Sequence, residues 1–332
     1  MYLVCLVPFS PETSRKLETL AVTLLGPEIT IGYAVQNWLA ARAFLKRVHS
    51  SGNRDWTMTH AFFAVAGGFT VRMPDKDDYR VKHTTLQRLI VDGCVDRLPI
   101  FKAELQSRGK SDWVVKIIAL FQICWFAVQT LFRAIQHLHV TAVEIMTIAF
   151  IFCSVFIYGL YWHHNRDVEY PVIIEVRSLT AASGEITPTQ QTRTLEDIKS
   201  IETDFLESVG KDNGLLFRWL STEIAACAFG AVHCLAWSSL FPTPQERLAW
   251  RICAVATLIL PLLFSVFGLI PYWYLESFWR EDCYEHSLWA WACFYVAGRL
   301  AIIVLALMEL RSLPSSALET VQWSKYVPHF GP

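Results

Sequence analysis

Charge is what this 332-residue chain has little of: Asp, Glu, Lys and Arg make up 18% of it, where an average soluble domain carries about 25%. That is too little to coat a water-facing surface, which argues against an ordinary soluble protein. Net charge is missing as well, with 29 Lys+Arg against 30 Asp+Glu. A phosphate backbone would find no electrostatic footprint, so no nucleic-acid partner is expected. The nine cysteines show no CxxC spacing, sit mostly in apolar runs and are odd in number, which supports neither a zinc site nor a disulfide framework. A Gly-x-Ser-x-Gly elbow, a P-loop, a His-Glu-x-x-His pair and an Asp-rich prenyl-diphosphate motif are all absent, so recognisable hydrolase, ATPase and metalloprotease chemistries are disfavoured. No cofactor and no metal is expected.

Apolar residues are what the chain has in quantity, 53% AVILMFWYC and 14% aromatic, with a mean hydropathy of +0.33. A helix needs roughly 20 mostly apolar residues to cross about 30 Å of hydrocarbon. Six stretches are predicted to do so, at about 17–41, 113–132, 140–162, 217–241, 249–275 and 288–310. The first is interrupted by Pro27, Glu28, Gln36 and Asn37. The others carry ring residues at their ends, among them Trp113, Trp162, Trp237, Trp273 and Trp289, as side chains that favour the headgroup layer do.

The expected fold class is therefore all-α, a polytopic helical membrane bundle of about six transmembrane helices with one interfacial or re-entrant segment and two polar loops. Segment 59–71 (THAFFAVAGGFTV) is too short to span and is assigned to the interface, with Gly67 and Gly68 allowing a sharp bend. The organisation reads as 1–41, N-terminal segment and first span; 42–112, interfacial segment and polar loop; 113–162, a two-helix membrane hairpin; 163–214, polar loop; 215–310, three transmembrane helices; and 311–332, C-terminal tail. An amphipathic helix is predicted within 84–98, a strand at 170–179, a loop at 180–194 and an acidic helix at 195–209. Lys and Arg near the span ends place both long loops in the cytosol and both termini outside.

Ionisable side chains at membrane depth cost a few kcal/mol each and default to functional hypotheses. Thr141-x-x-Glu144 reads as a capping box, which accounts for Glu144. Glu28 either faces a polar cavity or marks a segment that does not span. His233, one turn after Gly230, is expected at a close helix approach, bonding across helices. Glu223 lies ten residues before His233, about 80° off its face. Arg299 needs an acidic or carbonyl partner such as Glu28 or Glu223, and Glu309 is placed at the interface. Gln122 and Gln129 share a face and form a polar seam. The run Trp162-His163-His164-Asn165-Arg166-Asp167 is taken as a hydrated span end, since adjacent histidines point in different directions.

Several phrases, including KIIALFQICWFAVQTLFRAIQHLHVTAVEIMTIAFIFCSVFIYGLYWHHNRDVEYPVII, HAFFAVAGGF, FGAVHCLAWSSLFPTPQERLAWRICAV and GRLAIIVLALMELRSLPSSALETVQWSKYVPHF, resemble a large uncharacterised family of multi-pass membrane proteins of filamentous fungi. The resemblance implies a membrane location and no established activity. Relative to the family pattern the N-terminus looks shortened, and the paired Gly expected before the fourth-span His is replaced by Ala228-Phe229-Gly230-Ala231-Val232.

Two functions follow. One is a non-enzymatic sensor, scaffold or transport-like component. The other is an intramembrane cyclase or isomerase acting on a hydrophobic metabolite, with Glu28, Glu223, His233 and Arg299 as candidate catalytic residues. Carboxylic acids in apolar pockets can donate protons, and aromatic rings can stabilise cationic intermediates. The lipid bilayer and a hydrophobic small molecule are the expected partners.

Overall fold

The structure is a computed structural model that describes residues 20–73, 76–93, 95, 110–164, 172–174, 213–274 and 281–323. The elements in chain order are α1 (Pro27–Ser50), α2 (Met58–Val65), β1 (Phe69–Met73), β2 (Lys76–Arg80), α3 (His83–Val91), α4 (Lys110–Ile135), α5 (Ala142–Leu160), β3 (Val172–Ile174), α6 (Asn213–His233), α7 (Pro244–Tyr274), α8 (Glu281–Glu309) and α9 (Ser315–Leu318). Short 3-10 turns follow α6 at Cys234–Ser238 and α8 at Leu310–Ser312. The chain divides into two compact units: Met1–Gly32, Ala119–Ile157 and Leu220–Pro332 form the first, Tyr33–Ile118 and Tyr158–Trp219 the second.

Among the described residues, five helical stretches are long and apolar enough to cross a membrane: Val114–Ile135, Ala142–Leu160, Leu216–Ser238, Pro244–Val266 and Ala290–Ser312. They answer to the second through sixth predicted spans. The first predicted span, 17–41, does not form one continuous apolar helix. Gly26 interrupts it, and α1 starts afresh at Pro27. Proline has no N–H to lose at a helix start and its fixed φ suits that position, while Glu28 in the first turn favours the positive end of the helix dipole. From there α1 runs on past Arg42, Lys46 and Arg47 to Ser50.

In the second unit the expectation of an all-α fold meets an exception, a three-stranded sheet in the order β2-β1-β3. β1 pairs antiparallel with β2, with Thr70 opposite Arg80, and parallel with β3, with Thr70 opposite Ile173. Segment 59–71, expected at an interface, is α2 running into β1, with Thr59 to Ala64 buried. Its core collects Ala41, Phe44 and Val48 from one face of α1, Leu86, Leu89 and Ile90 from α3, Ile174 from β3, and Trp56, which meets Phe44 and Phe69 at ring distances of 5.6 and 5.7 Å. Gly67 has φ +72, and a Cβ on Gly68 would stand 2.4 Å from the Phe63 ring, so the tight turn from α2 into β1 needs both glycines. The amphipathic helix predicted within 84–98 is seen as α3, and the predicted strand at 170–179 contains β3. The loop 180–194 and the acidic helix 195–209 lie outside the described residues.

The polar residues that interrupt the first predicted span have partners here. Asn37 donates to the Tyr161 hydroxyl at 3.0 Å, and Gln36 accepts from Arg218 at 3.1 Å. His163 is exposed, and His164 packs edge-on against Phe62 at 5.7 Å while its carbonyl accepts from the buried Lys116 ammonium.

The first unit is helical, with Trp250 fully buried among Ala142, Ala236, Phe241, Ile302, Leu305 and Ala306. Gly230 of α6 lies against α7: a Cβ there would come within 2.7 Å of Leu258 Cα, the close backbone approach that small residues permit. The capping box at α5 forms as predicted, with the Thr141 amide donating to Glu144 at 2.8 Å and the Glu144 amide donating to Thr141 Oγ1 at 3.2 Å. Glu309 is fully buried against protein and accepts from the Ala142 amide with His139 alongside. A carboxylate at a helix N-terminus satisfies an orphan amide and opposes the dipole's positive end.

Candidate functional site

The first unit holds a partly open cavity of about 220 Å³. α1 contributes Glu28 at its first turn, α6 contributes Glu223 and Ala226, α7 contributes Phe264, and α8 contributes Trp291 and Tyr295. The helical period explains the last pair: residues 291, 295 and 299 recur every four positions, so Trp291, Tyr295 and Arg299 fall on one stripe of α8.

That stripe ends in a buried ion pair. Arg299 Nη2 donates to Glu28 Oε2 at 2.6 Å, and the Tyr295 hydroxyl donates to Glu28 Oε1 at 2.7 Å. Tyr295 also accepts from Arg299 Nε at 3.1 Å and Nη2 at 2.7 Å. The guanidinium lies over the Phe229 ring, 3.6 Å from its centroid. Each carboxylate oxygen of Glu28 has a donor and the cation has both an anion and a ring face, so the desolvation of two charges is met by good geometry. Of the two acids considered for Arg299, the structure selects Glu28.

Glu223 is differently placed. It lines the same cavity, and its Oε2 is buried with no close hydrogen-bond partner among the described residues; the Ser265 hydroxyl is its polar neighbour. His233 stands apart from both carboxylates and does not line the cavity. Its Nδ1 donates to the Phe229 carbonyl one turn back at 2.7 Å, so the imidazole bonds within its own helix and not across helices. Its ring packs between Phe229, at 4.7 Å, and Trp250, at 6.1 Å. Phe229 is thus shared, holding Arg299 and His233 together.

Of the four sequence candidates, Glu28 and Arg299 meet directly, Glu223 joins Glu28 at the cavity wall, and His233 is linked to Arg299 through the shared Phe229 ring. Tyr295 was missed by sequence reasoning. Its position one turn before Arg299 was the available signal. Among the described residues no group of three or more His, Cys, Asp or Glu is arranged to hold a metal ion. The cavity wall is mostly apolar, with Glu28, Thr222 and Glu223 among its polar members.

Residues 22–184 match the model of a family of unknown function (DUF8562), a stretch that contains Glu28 and the β1–β3 pairing and stops short of Glu223, His233, Tyr295 and Arg299. No curated protein and no solved structure matches the chain.

Proposed function

We propose that the chain is an integral, multi-pass membrane protein that crosses the bilayer with α4 to α8 and binds a small hydrophobic molecule in the Glu28–Glu223 cavity. On this reading it acts as a sensor or transport-like component and not as an enzyme. The observation that carries it is the closed Glu28–Tyr295–Arg299 network beside a mostly apolar cavity. Glu28, Tyr295 and Arg299 satisfy one another, so they hold the cavity's shape and are themselves engaged.

The bilayer assignment is supported by where apolar side chains point. On α4, Ile118, Phe121, Trp125 and Leu131 are exposed, as are Ile224, Ile252, Phe294 and Val304 elsewhere. Water would leave these flanks unsolvated, and hydrocarbon suits them. The β1–β3 pairing supports placing both long polar stretches on the same side of the membrane, with α4 and α5 as an even number of crossings between them. The Lys/Arg bias assigns that side to the cytosol. A fungal origin, implied by the sequence resemblance, belongs to the same proposal.

The test has two parts. The full chain is expected to remain in the pellet on high-speed centrifugation without detergent and to dissolve when detergent is added. The purified protein is expected to bind 1-adamantanol by titration calorimetry, and Ala226→Leu, which narrows the cavity, to lose that binding at an unchanged Tm. Recovery in the detergent-free supernatant overturns the membrane assignment, and undiminished binding by the Leu variant overturns the cavity.

One observation favours the alternative of an intramembrane cyclase or isomerase: a Glu223 oxygen with no close hydrogen-bond partner among the described residues, in a cavity lined by aromatic rings. Metabolite profiling of a deletion strain against one carrying Glu223→Gln reads it directly. A product lost in both strains, with normal amounts of inserted protein, establishes turnover.

A further inference from the structure

We infer that the ligand of this cavity is a small organic monocation, an amine whose ammonium sits on Glu223 and whose compact apolar body rests against Trp291, Phe264 and Tyr295. The inference deepens the ligand-binding reading above and rests on it. The argument is one of charge balance. Two carboxylates line the cavity. Glu28 is matched by Arg299 at 2.6 Å, whereas Glu223 Oε2 is buried without a hydrogen-bond partner among the described residues. With Glu223 ionised, the described cavity residues and Arg299 carry one negative charge in excess.

An uncompensated carboxylate in apolar surroundings is costly unless a cation and a hydrogen-bond donor arrive together. An ammonium supplies both. The rings of Trp291, Phe264 and Tyr295 add a second attraction, since the faces of aromatic rings are negative and draw cations. The rest of the wall, Thr222 apart, is apolar, with Ile29, Ala226, Leu260, Pro261 and Ala292.

Other ligand classes fit less well. An organic anion would meet two carboxylates. A hard divalent cation takes several oxygen ligands, and here one of the two carboxylates is already held by Arg299 and Tyr295. A neutral alcohol can satisfy one oxygen of Glu223 but leaves its charge unmatched.

Three probes of one shape separate these cases: 1-adamantylamine, 1-adamantanol and 1-adamantanecarboxylate, titrated by calorimetry at pH 7 into the full chain in a mild detergent, with the Ala226→Leu variant giving the heat of micelle partitioning. The amine is expected to bind at least tenfold more tightly than the alcohol, and the carboxylate not at all. Glu223→Gln should bring the amine to within about threefold of the alcohol, and Glu223→Asp should keep the preference for the amine. Equal binding of amine and alcohol to the wild-type protein overturns the cation inference while leaving the cavity reading standing, and so does an amine preference that survives Glu223→Gln. Binding of no probe overturns both. Should Glu223→Gln fail to fold, the wild-type series and Glu223→Asp still decide.

Discussion

Glu28 and Arg299 are 271 positions apart in sequence and 2.6 Å apart in the fold. Their side chains are 2% and 4% exposed, so each is compensated almost entirely by the other and by Tyr295. Glu28→Gln or Arg299→Met alone is expected to cost about 3–5 kcal/mol, because each strands a buried charge. The double variant should cost clearly less than the sum of the two, since no charge is left unmatched. Thermal unfolding of the detergent-solubilised single and double variants measures the coupling, and additive losses would show that the two side chains do not act as a pair.

Gly230 and Gly159 make a matched comparison within two apolar helices. A Cβ at 230 meets Leu258 backbone atoms at 2.7 and 2.8 Å, and one at 159 meets nothing within 4 Å. Gly230→Ala is expected to destabilise by about 2 kcal/mol or more, because packed helices must move apart. Gly159→Ala should be neutral or stabilise by up to about 1 kcal/mol through helix propensity. Midpoints of unfolding in a denaturing-detergent titration compare them, and equal losses would contradict the close approach of α6 and α7.

The second unit depends on Trp56, which is 3% exposed and meets Phe44, His60 and Phe69. Trp56→Ala should cost about 3–5 kcal/mol. The loss should show as faster amide exchange across α2, β1 and α3. Unchanged exchange in these elements would mean that the ring is not central to their packing.

At the start of α5 the two halves of the capping box can be separated. Thr141→Ala removes the side chain that accepts from the Glu144 amide and is expected to cost about 1 kcal/mol. Glu144→Gln keeps a reciprocal acceptor and loses the ion pair with Arg133, a change of about 0–1 kcal/mol. Thermal unfolding ranks them, and a larger effect of Glu144→Gln would assign that side chain more than a capping and surface-pair role.

His233 bonds to its own helix and packs between Phe229 and Trp250. His233→Gln should therefore lower the amount of inserted protein in proportion to any phenotype. A normal amount of protein with a lost phenotype would make the imidazole functional.

Much of the helical framework was legible because span length and apolar composition are properties of single segments. The reason for an acid near Arg299 was legible too: an intramembrane cation demands one, and Glu28 was one of two choices named. Pro27 was harder. The same residue reads as a flaw inside a span or as the natural first residue of a new helix, and only the chain's path from Gly26 decides. The sheet was hidden for two reasons. β2 is the charged stretch Lys76-Asp77-Asp78-Tyr79-Arg80, without the alternation that marks a strand. β3 pairs with β1 across the whole of α4 and α5, and a single sequence carries no local trace of so distant a partner. Phe229 was passed over as one apolar residue among many, since nothing in its neighbourhood shows that a guanidinium will lie on its face.

The parallel β1–β3 ladder sets an order on biogenesis. One edge of β1 can be sealed by β2 almost as soon as both leave the ribosome, but the other must wait until the chain beyond Leu160 has been translated. In the interval, main-chain donors and acceptors of β1 stand open beside Phe69 and Val71, a site at which a chaperone could bind or a neighbouring nascent chain could add on. A chain truncated between α5 and β3 would keep that vulnerability for its lifetime, so such a fragment is expected to be cleared or to aggregate even though each of its helices can form.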